Sequence, residues 1–363
     1  MSRNCENQYI PDMVSAPGET LSEVLDTIGM SQAELADRTG RPRKTVNEIV
    51  KGRASITPET ALQLERVLGV PAHFWLNREQ HYREYLSKLA EQQRLEQHLE
   101  WLDMFPIAAM ARLGWISRVQ DRVAQIQELL NFFGVASPER WNERWCSCDV
   151  AYRKSRAFES KPGAVAAWLR KGELLAQQIR CEEYDSSRFR AALGSIRSMT
   201  VKPPDDFCVM MGQECARAGV ALAFVHELPG APVSGVTQWL GPDKALIQLT
   251  IRYKTDDHFW FSFFHEAGHI LLHGKRDVFI EAKGVDSQQE READTFASNL
   301  LIPPAEFARF VSENKVLGLA LIREFASQIG IAPAIVVGRL QHDGLLDYKS
   351  CNQLKRRLEW TSD

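Results

Sequence analysis

Apolar residues recur with helical spacing along most of this chain and with strand spacing in one short stretch. The clearest helical stripe is Ala293, Phe296, Ala297, Leu300 and Leu301, which predicts a helix over residues 287–301. Asp286 or Ser287 is placed to cap it, and Pro303-Pro304 to stop it. Residues 78–104, 116–133 and 164–180 predict further amphipathic helices. Tyr82, Tyr85, Leu89, Leu95, Leu99 and Leu102 mark the first of these, which Pro106 ends. Lys88 and Gln92 break its heptad, so a connecting helix that also packs on a partner subunit fits better than a sustained coiled coil. Trp141, Trp145 and Trp168 point to a packed helical region rather than a flexible linker. Strand spacing is confined to residues 220–225, 236–240 and 245–251, the last after the turn Gly241-Pro242-Asp243. The fold class predicted is mainly α with a small β-sheet, that is, α+β.

Two short helices near the amino end pack on each other. One begins at Ser31-Gln32 and ends near Gly40; the other runs from Pro42, suited to a first turn, to Gly52, suited to a stop. Leu35, Ala36, Val46 and Ile49 are spaced to meet, which leaves Arg43, Lys44, Asn47 and Lys51 outward. This is the layout of a helix-turn-helix whose second helix enters the major groove. Residues 38–53 carry six basic residues against Glu48 alone, a local patch suited to phosphates. Lys44 and Asn47 are placed for base edges, Gln32 for a base or backbone contact, and Arg43, Thr45 and Lys51 complete the DNA-binding set.

The most specific chemistry lies in His265-Glu266-Ala267-Gly268-His269. Imidazoles four residues apart share one helical face and can reach one metal ion. In zinc metallopeptidases this spacing supplies two ligands, with the intervening glutamate as general base. Asp256-Asp257 offers an N-cap and Gly274 a stop for the apolar helix that carries the motif. Glu290 extends the core-facing stripe of residues 287–301 and is the expected third ligand. Asp294, four residues on, shares its face and is placed to accept the outer N–H of a ligand histidine. Glu292, about 200° further round the helix than the stripe, is expected to face solvent. Tyr253, His258, Arg339 and His342 are unranked candidates to steady an oxyanion.

Composition adds bounds rather than chemistry. A net charge of −3 with 25% charged residues announces no global field for nucleic acid or membrane. No uncharged run reaches the length of a membrane span and the first twenty residues contain no apolar signal stretch, which predicts a cytoplasmic chain. Seven scattered cysteines fit a reducing compartment, and Cys146-Ser147-Cys148 is too tight for a zinc knuckle. Residues 325–330 and 333–341 outline a second helix-turn-helix, but only Arg339 is basic there, so packing on the preceding domain is expected.

Pro17-Gly18-Glu19 through Ser31-Gln32, then Ile56-Thr57-Pro58-Glu59-Thr60-Ala61-Leu62 and Phe74-Trp75-Leu76-Asn77, resemble the HigA-type branch of the Cro/repressor-like helix-turn-helix family. The carboxyl half resembles the ImmA/IrrE family of zinc metallopeptidases. That resemblance rests on the HExxH motif, the extra His273, Glu290 with Asp294-Thr295-Phe296-Ala297, and Leu300-Leu301-Ile302-Pro303. The first resemblance implies operator DNA as partner, a homodimer and a toxin–antitoxin setting. The second implies Zn2+ as cofactor and a repressor or antitoxin-like regulator as substrate. His273 shares a face with His269 and, with a ligand set already complete, is read as structural. The layout expected is a helix-turn-helix domain over 1–77, a helical connection over 78–205, a zincin-like peptidase domain over 206–313 and a helical extension over 314–363. The alternative is a non-enzymatic operator-binding repressor whose metal domain senses or binds a ligand.

Overall fold

The structure, a computed structural model, describes residues 14–147, 161–251, 254–274, 279–281, 288–314 and 316–360. The chain divides into two units, Met1–Gln97 and His98–Asp363.

The first unit holds α1 (Pro17–Ile28), α2 (Gln32–Thr39), α3 (Arg43–Val50), α4 (Pro58–Leu68) and α5 (Ala72–Leu95). Local chemistry sets these bounds. The Ser31 hydroxyl accepts the Glu34 N–H at 3.1 Å to open α2. Gly40, at φ 67°, closes it in the left-handed conformation that favours glycine. Pro42 lies one position outside α3, as its cap, and the helix ends at Val50. Leu35, Ala36, Val46 and Ile49 are buried together with Leu21, Leu25, Leu64 and Trp75. Gly18 lets α1 lie directly on the end of α3, where a β-carbon would collide with the carbonyls of Ile49 and Val50.

The second unit begins with helical layers: α6 (Ile107–Arg112), α7 (Arg122–Phe133), α8 (Pro138–Asn142), α9 (Pro162–Gln178), α10 (Ser186–Ser198) and α11 (Pro204–Arg217). Periodicity starts α7 at residue 116. The helix instead starts at Arg122, because the Asp121 carboxylate accepts the N–H groups of Val123 and Ala124 at 3.2 and 3.1 Å. Trp141 is buried edge-on to Trp101, Phe105 and Phe133, with centroids 5.1–5.6 Å apart. The Gln248 amide on the sheet donates to the Trp168 carbonyl of α9 at 2.7 Å.

The sheet follows as β1 (Val220–Phe224), β2 (Gly235–Gly241) and β3 (Lys244–Leu249), matching the three stretches of strand spacing to within two residues. Its spatial order is β1-β3-β2-β4, with β1–β3 parallel and the other pairs antiparallel. The fourth strand, β4 (Phe279–Glu281), is three residues long and pairs with Gly235–Thr237 of β2. Between β3 and β4 runs the motif helix α12 (Asp256–Leu272). After β4 come α13 (Gln288–Leu301), α14 (Pro304–Glu313), α15 (Leu319–Ile329) and α16 (Pro333–His342).

Two expectations for α12 are corrected. Thr255, not Asp256 or Asp257, holds the cap position. Both aspartates lie inside the first turn, buried, and bind the carboxyl-terminal tail: Asp256 to Arg356 at 2.9 Å and Asp257 to Lys355 at 2.6 Å. At the other end the helix stops at His273, which turns extended (φ −115°, ψ 167°), rather than at Gly274. The cap expected at Asp286 or Ser287 lies outside the described residues. Val336, Val337 and Leu340 of α16 are fully buried in the core that Phe259, Trp260 and Phe263 of α12 also enter. The tail outline is thus packing surface, in keeping with its single basic residue, Arg339.

Candidate metal centre

His265 and His269 lie one turn apart on α12, both almost fully buried, and Glu290 reaches them from the first turn of α13. The two helices meet where side chains are small. At Gly268 a β-carbon would stand 3.1 Å from Phe296 and 3.3 Å from the Ala293 α-carbon. That close approach brings the acid to the imidazoles.

The two Nε2 atoms are 3.0 Å apart. Glu290 directs one carboxylate oxygen to each imidazole: Oε2 is 3.2 Å from His265 Nε2, and Oε1 is 3.6 Å from His269 Nε2. Donors bonded at 2.0–2.1 Å around a tetrahedral ion stand about 3.3 Å apart. The three separations bracket that value, and the donor set of two imidazoles and one carboxylate suits Zn2+. Burial, with His265 and His273 close by, pushes His269 down to about 2, which keeps its ring neutral and able to ligate.

Around these donors the structure adds a second layer. Asp294 Oδ1 lies 2.8 Å from His265 Nδ1, the contact its spacing predicts. His269 Nδ1 lies 2.9 Å from His273 Nδ1, and His273 Nε2 lies 3.2 Å from Glu292 Oε2. Glu292 is solvent-exposed as expected, yet it also reaches inward to this ring. Glu266 is fully buried and faces the sheet. Its backbone carbonyl accepts the Thr237 hydroxyl at 2.9 Å, and its side chain lies against Gly235 of β2. Sequence reasoning gives His273, Glu292, Gly235 and Thr237 no part in the site. For His273 a signal is present, a third histidine at the same four-residue interval.

Of the oxyanion candidates, Tyr253 lies outside the described residues. Arg339 donates to Asp343 at 2.7 Å and stacks over Phe307, and exposed His342 also meets Asp343 at 3.1 Å. His258 is exposed, seven residues before His265 and so about 10 Å away along the helix axis. The structure brings none of these three into the donor cluster.

On the amino-terminal unit, Gln32 opens α2, and Arg43, Lys44 and Asn47 project from α3, all exposed; Lys51 follows exposed, and Thr45 is half-buried. Part of the basic patch is occupied. Arg38 pairs with Glu34, and Arg41, largely buried, meets Gln63 and Glu59. Lys44 stands 3.9 Å from Glu48 and is 85% exposed, a pair too solvated to hold it back from another partner.

Comparison with known proteins agrees with both halves. The helix-turn-helix family model matches residues 21–75, and the model of the IrrE N-terminal-like domain, a peptidase family, matches residues 228–329. Virulence-associated protein I of Dichelobacter nodosus is 39% identical over 79 residues, which are 22% of this chain and 70% of that protein. The uncharacterized HTH-type transcriptional regulator YddM of Escherichia coli is 34% identical over 61 residues, 17% of this chain and 65% of that protein. Among solved structures, an addiction module antidote protein of the HigA family from Coxiella burnetii is 33% identical. It covers 23% of this chain and 92% of its own, with a TM-score of 0.22. The Pseudomonas aeruginosa antitoxin HigA, solved with the higBA promoter, is 30% identical, covers 23% and 94%, and has a TM-score of 0.22.

The chain carries a helix-turn-helix domain over residues 21–75 and an IrrE N-terminal-like peptidase domain over residues 228–329. The peptidase match contains His265, Glu266, His269, Glu290 and Asp294, and the helix-turn-helix match contains Gln32 through Lys51. The chain spans about two thirds of the length of the two relatives named first. Among the described residues, no single helix is long and apolar enough to cross a membrane.

Proposed function

We propose that this helix-turn-helix regulator is also a zinc-dependent endopeptidase whose substrate is a repressor or antitoxin-like protein. The observation that carries this reading is the convergence of His265 Nε2, His269 Nε2 and the Glu290 carboxylate within 4.8 Å of one another, with Glu266 buried beside them.

His265, His269 and Glu290 would hold the ion, and Asp294 would orient His265. Zn2+ bound there supplies Lewis acidity, polarising the scissile carbonyl and making water more acidic. Glu266 takes the proton of the attacking water and returns it to the leaving amine. Its contacts with Gly235 and Thr237 hold it on the sheet side of the helix while Glu290 approaches from α13. The amino-terminal unit binds operator DNA through α3, and a palindromic operator would engage two copies as a homodimer. The setting is a cytoplasmic stress-response, mobile-element or toxin–antitoxin circuit.

The test is Glu266→Gln, incubated with zinc and a small regulator encoded beside this gene. The variant keeps its zinc, and cleavage falls by about 10²–10⁴-fold. A variant that cuts as fast as wild type overturns the mechanism.

A further inference from the structure

Each imidazole of the donor cluster presents its outer nitrogen to a neighbour, and the two neighbours differ in kind. His265 Nδ1 meets the Asp294 carboxylate directly, at 2.8 Å. His269 Nδ1 meets another imidazole, His273 Nδ1, at 2.9 Å, and the far nitrogen of that ring meets Glu292 Oε2 at 3.2 Å.

Backbone geometry makes this second arrangement possible. His273 is the residue at which α12 ends, its N–H still bonded to the His269 carbonyl at 3.1 Å while its own φ and ψ are extended. Its ring, centred 5.0 Å from that of His269, has a side chain only 4% exposed. Glu292 is held at its other end as well: Gln288 Nε2 donates to Glu292 Oε1 at 2.8 Å.

With a metal on the Nε2 atoms, the hydrogens along this chain of contacts are placed as follows. His269 faces His265 and Glu290 with Nε2, so a metal-binding ring carries its hydrogen on Nδ1. Two nitrogens 2.9 Å apart share a single hydrogen, which makes His273 Nδ1 the acceptor. The hydrogen of His273 then sits on Nε2 and points to Glu292. Every N–H in the series is directed outward, from the donor cluster to a surface carboxylate.

We propose that His273 and Glu292 form a positioning relay that fixes the tautomer and ring orientation of His269 and so tightens metal binding. The proposal rests on the metal-site reading above and extends it to two residues that touch no metal. It gives the two ligand histidines unequal support: one carboxylate for His265, an imidazole with a carboxylate behind it for His269.

The experiment is zinc affinity by chelator competition on the full chain, paired with the melting temperature of each metal-free protein. His273→Ala weakens zinc binding by about 10–100-fold, the usual scale for losing a partner behind a ligand. Glu292→Ala weakens it in the same direction. Glu292→Gln, whose amide oxygen still accepts the His273 N–H, retains more affinity than Glu292→Ala. Because Glu292 is exposed, its variants leave the metal-free melting temperature unchanged, and they decide the matter if His273→Ala does not fold. Wild-type affinity in both Glu292 variants overturns the relay and leaves the metal site standing. Lower affinity accompanied by a lower metal-free melting temperature also overturns it, since that marks a structural role. A wild-type chain that binds no zinc removes the metal site itself, and the relay with it.

Discussion

Gly235 and Glu266 are packed so closely that a β-carbon at residue 235 would stand 2.6 Å from Glu266 Oε1 and 2.9 Å from its Cγ. Gly235 needs to be glycine for space. It lies in β2, two residues from Thr237, whose hydroxyl holds the backbone of the same glutamate. One strand therefore controls both ends of the proposed general base.

A double-mutant cycle tests that contact without any substrate. Gly235→Ala destabilises the chain by about 1–3 kcal/mol, the usual cost of overpacking a filled site. In a Glu266→Ala background the same change costs much less, because the colliding side chain is gone. Equal penalties in the two backgrounds, read from denaturant melts, assign the strain to some other neighbour.

The carboxyl-terminal tail secures the start of the motif helix through a buried ion pair. Lys355 Nζ lies 2.6 Å from Asp257 Oδ2 with both side chains largely buried, and also donates to Gln341 Oε1 at 2.8 Å. Lys355→Met strands the Asp257 charge and costs about 3–5 kcal/mol. Adding Asp257→Asn recovers most of that loss. A single variant as stable as wild type shows that the pair contributes nothing.

On the amino-terminal unit, Lys44→Ala with Asn47→Ala removes two exposed side chains of α3 and disturbs no buried contact. Operator affinity falls by at least about tenfold, since each base-edge contact is worth about 1–3 kcal/mol. Zinc content and melting temperature stay as they are. Unchanged affinity in a gel shift on the chain's own promoter removes these residues from the DNA contact.

Elements encoded by short-range patterns are legible in the amino-acid sequence. The stripe ending at Leu301 places Ala293 and Ala297 in the core, and Ser31 and Gly40 bound α2 through bonds made within one turn. Elements that exist through remote partners are not. β4 is too short to show a period and is a strand only because β2 lies beside it. Asp256 looks like a cap in its local setting, yet its partner Arg356 is one hundred residues away. Glu292 sits on the solvent side of its helix, as its angle predicts, but a long side chain can still reach back to His273.

The sequence by itself determined the helical faces, the two imidazoles one turn apart and the basic second helix, because each follows from the period of a single element. Only the tertiary structure decided that Glu290 faces both imidazoles, that His273 stands behind His269 and that Glu266 rests on Gly235. Those distances depend on how closely α12 approaches α13 and β2. That approach is set by a glycine at each contact, Gly268 against Ala293 and Gly235 against the Glu266 side chain, and residues so far apart in sequence leave no periodic mark of their contact.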